Sequence, residues 1–331
     1  MSPDEVHASA VVIDAEDVSR QDRRHLEEMR AGGVTTACVT VSCFGTFVDA
    51  ARAIADMNVL LEECADVARP VRCVDDIHDA KRTDRVGVVY AFQNTTALDG
   101  DVRYVRLFRD LGVRVIQLVW DAANLAGDSG YESRGRGLTR FGREVVQEIL
   151  RQRIALDLSH CDRRTTLDAI ELAEAPVAFT HANPASLCAS PRNKSDEEIR
   201  AMAASGGVMG LTPLAAFVAD ARVDASLERY CDHIDHVVDL VGVEHVGVGT
   251  DFTTRTPASA MMPVAWGGAE RSADEVSGDV YPYPYVPGFE SAAEFPSLTA
   301  ALIERGYSRD DVLAILGGNW LRLFGEIWGG A

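Results

Sequence analysis

The sequence predicts a single-domain α/β fold, a (β/α)8 TIM barrel spanning residues 1–331. Two observations carry the prediction. Short, near-continuously apolar runs recur along the chain, as they do in strands buried on both faces of a parallel sheet. The segments between them are long enough for a helix and show helical periodicity, which is the alternation of a barrel. An open doubly wound sheet is the competing architecture, but no GxGxxG follows any of the runs.

In chain order the predicted strands are VVID (11–14), TTACVTVS (35–42), VGVVYAF (86–92), VRVIQLVW (113–120), IALDLSH (154–160), PVAFTH (176–181), GGVMGLT (206–212) and HVGVGTD (245–251). The helices between them are read at 50–68, 102–111, 140–151, 164–174, 196–204 and 227–241. After the eighth strand comes a long loop, 253–290, with Trp266 and the run YPYPYVPG. Its length, aromatics and prolines suit an ordered lid or a dimer contact.

Composition narrows the function. Lys and Arg number 32 against 51 Asp and Glu, a formal charge of −19, which argues against a nucleic-acid partner. The seven cysteines are scattered and lack CxxC spacing, so a reducing, cytoplasmic compartment is expected rather than a disulfide framework. No apolar stretch approaches membrane-spanning length, and MSPDEVHASA lacks the pattern of a secretion signal.

In a barrel, active residues stand at the C-terminal ends of the strands. Those positions hold Glu16 and Asp17 after the first strand, Gln93 after the third and Trp120 after the fourth. His160 ends the fifth, His181 the sixth and Asp251 the eighth. Two imidazoles on neighbouring strand ends can converge on a metal, and a nearby carboxylate can move a proton. The remaining histidines are weaker candidates. His7 and His25 lie near the N-terminus and His78 in an acidic helix. His233 and His236, an i, i+3 pair among acids, are expected on a solvated face, and His245 starts the eighth strand at the wrong end.

Several stretches together resemble the membrane (renal) dipeptidase family of the amidohydrolase superfamily: DLSHCDRRTTLDAIE (157–171), APVAFTHANPASLCASPRNKSDEEIRAMAASGGVMGLT (175–212), DHIDHVVDLVGVEHVGVGTDF (232–252), FPSLTAALIERGYSRDDV (295–312) and ILGGNWLRLF (315–324). The resemblance implies a zinc-dependent barrel hydrolase that cleaves dipeptides, and a homodimer. It assigns His160 and His181 to a metal site, Arg192 to the grip on the substrate carboxylate, and Asp251 to proton handling. The departures are equally specific. Glu16 and Val18 stand where the family has His-x-Asp, Gln93 replaces the metal-bridging Glu, and Trp120 replaces a substrate-contacting His.

A neutral Gln93 is a weak ligand, and Glu16 without a histidine partner makes a poor first site. The expectation is therefore about one Zn²⁺ per chain, or none, on His160 and His181, with Gln93 and Glu16 as weak further ligands. Trp120 is expected to narrow the pocket and offer a ring face to substrate. The expected function is a dipeptidase-like metallohydrolase acting on a small peptide or amide with a free carboxylate. The alternatives are a lyase or isomerase on an amino-acid-derived carboxylate, or a catalytically inactive binding homologue.

Overall fold

The computed structural model describes residues 2–220, 224–254 and 285–329. Nine parallel strands form the sheet: β1 (Val12–Asp17), β2 (Val34–Ser42), β3 (Ala68–Pro70), β4 (Val86–Phe92), β5 (Val113–Gln117), β6 (Ala155–Asp157), β7 (Ala178–Phe179), β8 (Val208–Leu211) and β9 (Val246–Val248). Each pairs with its spatial neighbour, and β1–β9 together with β2–β4 close the ring into an eight-strand barrel. The ninth strand, β3, pairs only with the first half of β4, whose second half pairs β5. It is three residues long and ends in proline, too short to leave a periodic signal in the sequence.

The helices start where polar side chains can satisfy their first N–H groups. Thr139 accepts from Gly142 N ahead of Arg140–Arg151, and Asp162 accepts from Thr165 N ahead of Arg163–Ala173. Ser195 and Glu198 form a capping box on Asp196–Ala204.

Side chains alternate across the strands into two cores. Val12, Val39, Val88, Ile116, Phe179 and Met209 pack between sheet and helices. Ile13, Val89, Val115, Ala178 and Val208 point into the barrel, where they meet Trp320, Phe324 and Trp328 of the C-terminal helix Asn319–Trp328. That helix plugs the lower end of the barrel. Phe324 stacks on Trp328 with ring centres 4.2 Å apart, and Trp320 donates its indole N–H to Val248 O at 3.1 Å. Gly247 makes the approach feasible, because a Cβ there would lie 2.3 Å from the Trp320 indole nitrogen. With the floor filled, the open end carries the chemistry.

Four of the predicted strands run two or three residues further than the hydrogen-bonded ladder does. β5, β6, β7 and β9 end at Gln117, Asp157, Phe179 and Val248, so Trp120, His160, His181 and Asp251 lie two or three residues beyond. Carboxylates take over from ladder carbonyls there. Asp157 Oδ1 accepts from Ser159 N and Thr180 N, and Asp14 Oδ1 accepts from Thr250 N.

The histidine pair His233 and His236 departs from the expected solvated face. His233 is buried with its Nε2 2.9 Å from Val218 O, because it shares the inner face of its helix with Tyr230, Ile234 and Val237. Only His236 is partly exposed, beside Asp196. His7 and His25 are buried as well, the first against Thr299 and Gly32, the second against Asp17. His245 is placed at the lower end as expected, on Gly207 O. Most of the loop 253–290, including Trp266, lies outside the described residues. Its returning end is described: Tyr285 bridges to Leu214 and donates its hydroxyl to Asp251 O at 2.7 Å.

Candidate metal centre at the top of the barrel

His160 and His181 converge. Their Nε2 atoms are 2.8 Å apart, and the rings meet edge-on with centres separated by 4.9 Å. Each far nitrogen is held. His160 Nδ1 lies 2.7 Å from Asp121 Oδ1. His181 Nδ1 lies 2.8 Å from Thr180 Oγ1, which in turn donates to Asp157 Oδ2 at 2.6 Å. Fixing one ring nitrogen orients the other, which is how metal-bearing imidazoles are usually supported. Burial, reinforced by nearby cationic groups, holds both imidazoles well below their ordinary pKa, so both are neutral, the form that ligates.

The two imidazoles of this half fit two positions of a metal ion's ligand set. Two nitrogens on one tetrahedral Zn²⁺ need to be about 3.3 Å apart, so the rings would open by a few tenths of an ångström. Among the described residues, however, no three His, Cys, Asp or Glu side chains gather into a ligand set. A third protein donor would have to be the amide oxygen of Gln93 or a carboxylate brought inward.

The other half does not fit a second ion. Glu16 is buried, its Oε1 accepts the Thr40 hydroxyl, and its Oε2 lies 4.0 Å from His181 Nδ1, the ring nitrogen facing away from the pair. Asp17 is taken up by Ser19 N, Gln21 Nε2 and His25 Nε2. Asp14 is occupied by Thr250. Gln93 is 3 % exposed; its Oε1 accepts from the Cys43 thiol, its side chain lies close enough to Glu16 and Asp251 to favour their ionised forms, and its Nε2 completes no well-aligned hydrogen bond among the described residues. Burial raises the carboxyls here: Glu16 well above the carboxylate range, Asp14 to about 8, and Asp251 to about 7. Arg192 pulls Asp251 back down, and Asp121 pushes it up again.

Arg192 is buried beside the histidine pair. Nη1 donates to Ser159 O at 2.5 Å and Nη2 to His181 O at 3.1 Å, so the guanidinium ties together the two segments that carry the imidazoles. Phe217 lies under it at 5.3 Å, and its Nε edge faces Asp121. Trp120 stacks beside His160, ring centres 5.9 Å apart, and meets Phe44 edge-on at 4.7 Å. Asp251 has a left-handed backbone (φ 54), which turns the chain sharply after Thr250. The supporting groups Asp121, Asp157, Thr180 and Thr40 were not singled out from sequence. The signal for Asp121 was its place directly after Trp120 in the column of strand ends.

Comparison with known proteins gives the family. The model of the membrane dipeptidase family, peptidase family M19, matches residues 8–262. The chain belongs to that family. An amidohydrolase structure from Pseudomonas aeruginosa is 35% identical, with each chain covered over 100% and a TM-score of 0.93. A Rhodobacter sphaeroides metallo peptidase liganded with a phosphinate mimic of the dipeptide L-Ala-D-Ala shares the fold at 21% identity, covering 97% of this chain and 100% of its own, with a TM-score of 0.79. Among curated relatives, the dipeptidase verJ of Clonostachys rogersoniana is 29% identical over 82% of this chain. The chain spans 63% of that dipeptidase's length, against 94% of an uncharacterized protein in the pqqA 5' region of Klebsiella pneumoniae, also 29% identical and matching 83% of this chain. Membership in M19, a metallopeptidase family, favours metal dependence. No helix among the described residues is long and apolar enough to cross a membrane.

Proposed function

We propose that this M19 protein is a dipeptidase-like hydrolase that cleaves a small peptide or amide bearing a free carboxylate, with one metal ion, Zn²⁺ by its donor chemistry, on His160 and His181. The observation that supports it best is the pair of neutral, buried imidazoles aimed at one point with both outer nitrogens restrained. A bound Zn²⁺ would polarise the scissile carbonyl and lower the pKa of a water molecule. The chain's own groups do the rest. Arg192 offers its Nε edge to the substrate carboxylate, a role suited to a guanidinium even with both Nη atoms committed. Trp120 and Phe44 form an aromatic wall that orients the substrate beside His160. Asp251 takes the proton from the attacking water and passes it to the leaving amine; a carboxyl near 7 can do both at neutral pH. Gln93 is a weak neutral donor, and Glu16 a weak ligand that its Thr40 bond holds back. All seven cysteines are free, in keeping with a cytoplasmic location, and we extend to this chain the homodimer that the family resemblance implies.

The test is the metal content of protein purified without added metal, measured beside His160→Ala and with a panel of L,L- and L,D-dipeptides. About one zinc per chain, absent from the variant, together with hydrolysis, establishes the reading. A second reading is favoured by the hydrogen-bond distance between the two Nε2 atoms and by the poorly ligating side of Glu16 and Gln93. It is a metal-free enzyme or binder of a small amino-acid-derived carboxylate. It wins if no zinc binds even when offered while a carboxylate raises the melting temperature through Arg192.

A further inference from the structure

The geometry points to Asp121 as a positioning residue that couples the carboxylate anchor Arg192 to the metal-holding imidazole of His160, an inference that rests on the hydrolase reading above. A single oxygen makes the link. Asp121 Oδ1 lies 2.7 Å from His160 Nδ1 and 3.9 Å from Arg192 Nε. Among the described residues it is the only carboxylate within ion-pair distance of Arg192. Its backbone is pinned by the Ser129 hydroxyl, which donates to Asp121 O at 2.6 Å. Arg192 is equally constrained, because its Nη atoms are spent on Ser159 O and His181 O. Oδ1 thus faces an imidazole and a guanidinium at once, from a backbone held by Ser129.

The sign of the coupling follows. A ligand carboxylate arriving at the Nε edge of Arg192 competes with Asp121 for that cation and sets a second anion beside it. Oδ1 then favours His160 Nδ1–H, and a more strongly held Nδ1–H makes Nε2 the better metal donor. Conversely, a cation on Nε2 acidifies Nδ1–H, draws Oδ1 toward it and releases the Nε edge for a carboxylate. The two ligands therefore strengthen one another, and by linkage each does so by the same factor.

The experiment measures zinc affinity by competition with a chromogenic chelator, in saturating propionate and, as the uncharged control, in propionamide. In the wild type zinc binds about 5- to 10-fold tighter with propionate. In Asp121→Asn zinc affinity falls about 10- to 100-fold and the propionate effect disappears, while Asp121→Glu recovers part of both. A merely structural role would lower the melting temperature of Asp121→Asn and leave the ratio between propionate and propionamide intact, which overturns the inference. Equal zinc affinity in the two solutions for the wild type overturns it too, but leaves the hydrolase reading standing. A wild type that takes up no zinc in either solution overturns both.

Discussion

At the ends of β6 and β7, and again between the middle of β1 and the end of β9, a buried aspartate performs the same task. Asp157 accepts the backbone N–H of the residue two ahead, Ser159, and both the N–H and the hydroxyl of Thr180 on the neighbouring segment. Asp14 accepts the N–H of Glu16, likewise two ahead, and the N–H and hydroxyl of Thr250. The residue after each threonine then faces the site: His181 in one case, Asp251 in the other. The scaffolds match, while the groups they display do not. One displays two imidazoles whose pKa burial lowers, the other carboxyls whose pKa burial raises. The difference between the two halves thus resides in a few displayed side chains rather than in the framework that aims them.

Breaking the displayed pair should have the largest effect. His160→Ala or His181→Ala is expected to abolish zinc retention and lower dipeptide hydrolysis by about 10³-fold or more, read by elemental analysis and initial rates. Hydrolysis at the wild-type rate in either variant would remove the imidazoles from the reaction. A matched pair of threonine variants sharpens the comparison. Thr180→Val and Thr250→Val each leave a buried carboxyl short of one partner and should each cost about 1–3 kcal/mol in denaturant unfolding. Only Thr180→Val should also weaken zinc, by about 10-fold, because only that hydroxyl steadies an imidazole of the proposed site. Equal effects on zinc would mean that the two scaffolds are not separable.

Rebuilding the other side is the converse experiment. The combined substitution Glu16→His, Val18→Asp and Gln93→Glu restores a histidine, a carboxylate and an anionic bridge, and should raise the bound metal from about one to about two per chain. Glu16→His alone should not. The smallest effect concerns pH. Asp14 has its folded pKa raised from 3.8 to about 8, so between those values the folded state holds a proton that the unfolded chain has lost. Its stabilising share is complete below about pH 4 and disappears as pH rises toward 8. The metal-free protein should melt higher at pH 6 than at pH 8.5, and Asp14→Asn should reduce the difference, leaving the part that Asp121, Asp251 and Glu16 contribute. A melting temperature that rises over that range would contradict the assignment.

Much of this was legible in the sequence. β4 and the helices Arg140–Arg151, Asp196–Ala204 and Leu227–Val241 coincide with their predicted bounds, because strong periodicity and polar caps mark both ends. His160 and His181 were found from their places at strand ends, and the structure brings them together. Asp121 and Asp157 were not found. One is a loop residue whose partner lies 39 positions away, and the other is a charge inside an apolar run that reads as strand. Periodicity reports which face a residue occupies, and neither contact depends on that. His233 was misplaced because its acidic neighbours Asp232 and Asp235 dominate the local pattern, while the helix turns it inward.

The plug at the foot of the barrel also bears on how the chain acquires its fold. Trp320, Phe324 and Trp328 come late in the chain, yet they pack against side chains of β1, β4, β5 and β7, and Trp328 donates to Arg114 O, 214 positions earlier. A ribosome delivers residues in order, so every strand of the ring emerges before the aromatic residues that line its inside. Until they arrive, the nascent barrel has a wet or collapsed interior, and contacts of such separation are slow to form.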